Sequence, residues 1–123
     1  MTQPTSTSAQ AILERCDELA TYSSIDDGLI ERVYLSPQHA AVNALAGRWM
    51  TEAGMTTWQD AAGNQCGRLE GATPGLPALL LGSHLDTVPS AGRYDGILGV
   101  LSAIAVVDRI RSSGRQLPFR TSS

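Results

Sequence analysis

Leu79-Leu80-Leu81-Gly82-Ser83-His84-Leu85-Asp86-Thr87-Val88-Pro89-Ser90-Ala91-Gly92-Arg93-Tyr94-Asp95-Gly96-Ile97-Leu98-Gly99-Val100 is the stretch around which the chain is organised. The apolar run 78–81 is too short for helical periodicity and ends at Gly82, which predicts a buried parallel strand. His84 and Asp86 follow two apart, so in extended chain both side chains leave the same face. Asp95-Gly96 comes after a loop carrying Pro89 and Gly92 and stands directly before an apolar helix predicted over 97–110. Open α/β sheets gather ligands beyond the carboxyl ends of their strands, where these three side chains would converge. A histidine that binds a metal through one ring nitrogen gives its other N–H to a carboxylate or carbonyl, and a neighbouring acid suits that task. The residue types alone leave two readings open, a polar strand end or a metal site.

Outward from this stretch, the chain reads as scaffold. Ser8 is placed to cap a helix in which Ile12, Cys16, Leu19 and Ala20 recur on one face. Residues 22–28 form a turn, with Asp26 and Asp27 solvated. Ser36-Pro37 is a helix start, a capping serine before proline at the first helical position. Ala41, Ala44, Leu45 and Trp49 give that helix its apolar stripe, and Gly54 ends it. His39, in the first turn, reads as an exposed or capping histidine. Residues 55–59 and 65–70 read as strands joined by the turn 60–64, a hairpin beside the sheet. Residues 71–77, with Pro74 and Pro77, deliver the chain to the central strand. Arg109, Arg111 and Arg115 complement the negative end of the last helix.

Composition bounds the function. The 123 residues hold one domain with a core, and 42% hydrophobic with 17% charged residues is the balance of a globular protein. A net charge of −3 and no basic cluster argue against nucleic-acid binding. No run of about eighteen apolar residues spans a membrane, and Met1–Ser8 lacks a signal-peptide pattern, so a cytoplasmic protein is expected. Cys16 and Cys66 are the only cysteines and form no metal-binding pair; two reduced thiols are expected.

The wording Gly82-Ser83-His84-Leu85-Asp86-Thr87-Val88-Pro89, followed by Gly92-Arg93-Tyr94-Asp95-Gly96-Ile97-Leu98-Gly99-Val100, resembles the first metal motif of the dinuclear-metal aminoacylase and carboxypeptidase superfamily. The resemblance is to its branch of allantoate amidohydrolases, N-carbamoyl-L-amino-acid hydrolases and beta-ureidopropionases. Tyr34-Leu35-Ser36-Pro37, Trp49-Met50, Glu52-Ala53-Gly54-Met55, Asp60-Ala61-Ala62-Gly63-Asn64 and Gly114-Arg115-Gln116-Leu117-Pro118-Phe119 carry it along most of the chain. It implies an α/β fold, an incomplete zinc-peptidase-like catalytic domain with a central sheet flanked by helices. Residues 1–8 would be a flexible arm, 9–119 the amino-terminal part of that domain, and 120–123 an aberrant or truncated tail.

The implied reaction is hydrolysis of a non-peptide C–N bond in a small ureido substrate, an N-carbamoyl amino acid or allantoate. The resemblance makes His84 a terminal ligand, Asp95 the carboxylate bridging two divalent metal ions, and Asp86 the carboxylate that orients His84. Zinc is the expected metal, with manganese, cobalt or nickel as substitutes, and complete members are expected to be homodimers. The family pattern also asks for a Glu-Glu pair after Phe119 and for later histidines; this sequence has Arg120-Thr121-Ser122-Ser123 there. The expectation is therefore an inactive fragment that binds zinc weakly and dissolves poorly. A non-catalytic interaction module or relic is the alternative, and a metallopeptidase or aminoacylase the alternative among enzymes.

Overall fold

The computed structural model describes residues 7–122, so most of the expected arm, and Ser123 of the expected tail, lie outside the described residues. Helix α1 (Ala9–Ala20) begins where Ser8 Oγ accepts the Ala11 N–H at 3.1 Å. It buries Cys16 and Leu19, leaving Glu14, Asp17 and Glu18 exposed. Helix α2 (Pro37–Glu52) starts at the expected cap, Ser36, whose hydroxyl accepts from His39 N. It stops before Gly54, whose φ of 91° is the left-handed conformation that closes a helix end with least steric cost.

Strands β1 (Thr56–Gln59) and β2 (Gln65–Leu69) form the predicted antiparallel hairpin, Thr56 facing Arg68 and Gln59 facing Gln65. Its turn is tied by the Asp60 carboxylate, which accepts from the Ala62 and Asn64 main-chain N–H groups, each at 2.9 Å. Strand β3 (Ala78–Leu80) precedes helix α3 (Ile97–Ser112), and β4 (Arg120–Ser122) follows it. The sheet order is β1-β2-β4-β3, with β4 antiparallel to β2 and parallel to β3. The fold is α/β, a four-stranded sheet with helices. Helix α2 packs on the hairpin, and α1 packs on α3.

One apolar cluster joins these layers. It takes Cys16 and Leu19 from α1, Val42, Leu45, Ala46, Trp49 and Met50 from α2, and Ile97, Val100, Leu101, Ile104 and Val107 from α3. Each fully buried Leu, Ile, Val or Met among them stabilises the fold by about 1.5–3 kcal/mol relative to exposure.

Four expectations about the scaffold need correction. The buried stripe of α2 is turned from the predicted one: Ala44 is exposed, Ala41 half-buried, and Val42 and Ala46 lie in the core. The turned face carries Asn43, whose amide donates to the Gly63 carbonyl at 3.1 Å across the hairpin turn. A face containing a buried asparagine does not show as an apolar stripe. His39 is buried, not exposed, with Nδ1 accepting the Leu35 N–H, just ahead of the Ser36 cap, at 3.0 Å.

The third correction concerns β3. It is parallel to β4 as predicted, yet it is an edge strand with Leu79 and Leu80 50% and 75% exposed. Apolar parallel strands are buried where layers cover both faces, and these two side chains have no such cover among the described residues. The fourth concerns 120–122, which the sequence reads as departing from the expected apolar strand. Thr121 and Ser122 are buried in the sheet, and Thr121 stands between Leu69 and Leu79. Sheet pairing joins main-chain groups, and a polar strand pairs as well as an apolar one when its neighbours offer the register.

Candidate functional site

Beyond the carboxyl end of β3 the chain leaves the sheet, and His84 and Asp86 stand in the loop that follows, ahead of α3. The His84 Nδ1 lies 2.9 Å from the Asp86 main-chain carbonyl. A carbonyl only accepts, so Nδ1 carries a proton, and in the neutral ring Nε2 then presents its lone pair. That Nε2 is 3.8 Å from Asp95 Oδ1. The structure thus brings together the three residues singled out from the sequence, on two segments that meet where β3 ends and α3 begins. The Asp86 carboxylate stands 3.7 Å from Nδ1, beyond hydrogen-bond length, so it is the main-chain oxygen of Asp86 that holds the ring.

Gly96, the residue before α3, lets the two segments approach. Its φ is 79°, and a Cβ there would come within 2.4–2.6 Å of three atoms of the His84 ring. Any other residue would push the imidazole out of place. Gly99, one turn on, faces the Ser83 side chain, where a Cβ would come within 2.8 Å of Oγ.

Such a pair could hold a divalent metal. The separation of 3.8 Å is too long for a direct hydrogen bond and shorter than the ~4.2 Å that two zinc–ligand bonds span end to end. A neutral imidazole with its far nitrogen held, facing a carboxylate, is a fitting donor pair for zinc. It is also an incomplete one. Among the described residues no three His, Cys, Asp or Glu side chains group closely enough to hold an ion, whereas catalytic zinc takes about three protein ligands plus water.

Beside His84 and Asp86 an open groove of about 330 Å3 is lined by Tyr34, His39, Asn43, Asn64 and Cys66 among others. The Tyr34 hydroxyl donates to the Ala62 carbonyl, closing one side of it against the hairpin turn. Burial pushes the His39 imidazole below its ordinary value; the Asp86 carboxylate acts against this shift and the Arg32 guanidinium with it.

Arg32 escaped the sequence reading. It is fully buried, and its guanidinium donates to three main-chain carbonyls: Leu85 at 2.7 Å, Leu19 at 2.8 Å and Tyr22 at 2.9 Å. Among the described residues its Nη2 has no hydrogen-bond partner. Burial lowers its pKa and the Asp86 carboxylate raises it. No local signal marks Arg32, since its partners lie in other parts of the chain.

No family model matches the chain. Among curated relatives, allantoate deiminase 1 of Glycine max is 46% identical over 88 residues, covering 72% of this chain and 18% of the relative. The N-carbamoyl-L-amino-acid amidohydrolase of Pseudomonas sp. is 39% identical over 94 residues, covering 76% of this chain and 23% of the relative. Among solved structures, a hydantoinase/carbamoylase family amidase from Burkholderia ambifaria matches with a TM-score of 0.87 at 30% identity, over 94% of this chain and 28% of that chain. These are the enzymes that the motifs predict, and the chain spans about a fifth of the length of the curated relatives it matches. No helix among the described residues is long and apolar enough to cross a membrane.

Proposed function

We propose that this chain supplies one wall of a metal site in a hydrolase of small ureido or N-carbamoyl compounds, such as allantoate or an N-carbamoyl amino acid. One observation carries the reading: His84 has Nδ1 fixed on a carbonyl and Nε2 facing Asp95 across a glycine that leaves room for the ring. The similarity to an allantoate deiminase and an N-carbamoyl-L-amino-acid amidohydrolase supports this substrate class. In this reading His84 would be a terminal ligand, Asp95 would be the carboxylate shared by two divalent metal ions, and Asp86 would orient His84. Zinc is the expected metal, with manganese, cobalt or nickel as substitutes.

When bound, such metals polarise the carbonyl under attack and make hydroxide available near neutral pH. The chain's own part is narrower. The Asp86 carbonyl keeps a proton on Nδ1, so that in the neutral ring Nε2 is the nitrogen left to a metal. Asp95 contributes negative charge on the Nε2 side of the ring. Gly96 holds the spacing between the two. The groove beside them has polar residues in its walls, Tyr34, Asn43 and Asn64 among them. With one histidine and one facing carboxylate, the 123-residue chain by itself is expected to hold zinc weakly and to be inactive. The complete enzyme is proposed to be a cytoplasmic homodimer that acts on a small molecule.

A chimera tests this. The matching segment of the Pseudomonas N-carbamoyl-L-amino-acid amidohydrolase is replaced by this chain, and hydrolysis of N-carbamoyl amino acids and of allantoate is measured. Activity above background on one of them is expected, falling at least about a hundredfold in the His84→Ala and Asp95→Asn forms, the loss that removal of a metal ligand brings. A folded, active chimera indifferent to both substitutions refutes the assignment. The absence of a third clustered ligand among the described residues favours a second reading, a non-catalytic interaction module; a folded but inactive chimera supports that one.

A further inference from the structure

The loop that presents His84 is not held by the sheet. It is held by the segment 30–32, which runs beside it like a rail. Ile30 and Ala91 exchange both main-chain hydrogen bonds, at 3.0 and 2.8 Å. Arg32 makes the second tie. Its main-chain N–H donates to Thr87 Oγ1 at 2.9 Å, its carbonyl accepts the Thr87 N–H at 2.8 Å, and its Nε donates to the Leu85 carbonyl at 2.7 Å. Arg32 therefore grips both peptide units that flank Asp86: the 85–86 unit through its carbonyl and the 86–87 unit through its N–H.

Peptide geometry turns this grip into an effect on His84. The 86–87 peptide is planar and trans, so its C=O and N–H point in opposite directions. Because Arg32 holds the Thr87 N–H on one side, the Asp86 C=O faces the other, where it meets His84 Nδ1 at 2.9 Å. The guanidinium keeps the preceding carbonyl from turning, and it is anchored in turn on Leu19 and Tyr22 at the end of α1. Three donors spread over a rigid plane serve three carbonyls; a lysine ammonium would offer a point charge without that plane.

We infer that Arg32 is a positioning residue which, by fixing the two peptides around Asp86, selects the His84 tautomer with the proton on Nδ1 and so presents Nε2 toward Asp95. The inference deepens the reading of His84 as a metal ligand, and it rests on that reading for its functional meaning. The tautomer itself belongs to the metal-free chain, so the two ideas fail separately.

The experiment is nitrogen-15 NMR of the histidine rings in the metal-free 123-residue chain at about pH 8, above the ordinary imidazole range. The wild-type chain is expected to show His84 protonated on Nδ1. Arg32→Met and Arg32→Lys are both expected to shift it toward the Nε2–H form and to lower zinc affinity by about tenfold to a hundredfold, as loss of a partner that orients a ligand does. Val42→Ala, a core truncation on α2 away from the loop, serves as the control for general loosening and should leave the tautomer in place. A folded Arg32 variant that keeps Nδ1–H, or a Val42→Ala chain that loses it equally, overturns the inference. Should neither Arg32 variant fold, Arg32→Gln, which keeps a neutral donor in the buried site and loses the planar set of three donors, takes their place. A shift toward the Nε2–H form there supports the inference, and an unchanged ring overturns it.

Discussion

His39 shows how one side chain ties stability to pH. Its Nδ1 accepts the N–H of Leu35, a residue held at φ 63°, and its ring lies buried between Tyr34 and the groove. A left-handed leucine costs roughly 1–2 kcal/mol, and this hydrogen bond is one of the contacts that offset it. Burial lowers the imidazole's pKa, so the unfolded chain, with an ordinary value of about 6.5, takes up a proton before the folded one does. Stability is therefore complete above about pH 6.5 and falls as pH drops through that value toward the lowered folded one. Asparagine at this position has an oxygen to accept from Leu35 and no proton to gain. His39→Asn should flatten the dependence of melting temperature on pH between about 7 and 5; parallel curves for the two proteins would show that His39 does not drive it.

At the scale of elements, local signals and long-range pairing make different predictions. Helix α2 starts at Ser36 because a β-region residue with a short hydroxyl side chain satisfies a free N–H of the first turn. Ser36→Ala should cost about 1 kcal/mol in urea denaturation. Strand β4 has no such local reason to exist. Thr121 is an interior strand residue only because β2 and β3 stand on either side of it. Proline there removes a ladder donor and should cost about 3 kcal/mol or more. A cost under about 0.5 kcal/mol, the range of exposed substitutions, would mean that 120–122 behaves as a tail. The hairpin lies between these cases. Its alternating residues and the Asp60-to-Asn64 turn mark it in the sequence, and the structure supplies its packing against α2.

For the molecule as a whole, the apolar surface left uncovered is the main liability. Leu79 and Leu80 on the edge strand and Leu98 and Val106 on α3 are each between 41% and 75% exposed. An unpaired strand edge bearing leucines is a template for association, which charged residues on natural edges prevent. Self-association of the 123-residue chain is expected in sedimentation velocity at micromolar concentration. Leu80→Lys should reduce it while changing unfolding free energy by no more than about 0.5 kcal/mol, because Leu80 contributes little to the core. A compact monomer for the unsubstituted chain would contradict this expectation.

The sequence by itself determined what short-range chemistry can write. The caps at Ser8 and Ser36, the hairpin turn, the apolar helix after Gly96, and the trio His84, Asp86 and Asp95 are each defined by near neighbours along the chain. Only the tertiary structure decided which side of α2 is buried, since Asn43 joins that face to meet Gly63, 20 residues away. It also decided that the Asp86 carbonyl rather than its carboxylate holds His84. Arg32 is the clearest case: its partners Tyr22, Leu19 and Leu85 lie 10, 13 and 53 residues away. A buried guanidinium gains its stability from main-chain carbonyls, and carbonyls are present at every residue of any sequence. Which of them face the guanidinium is a property of the fold.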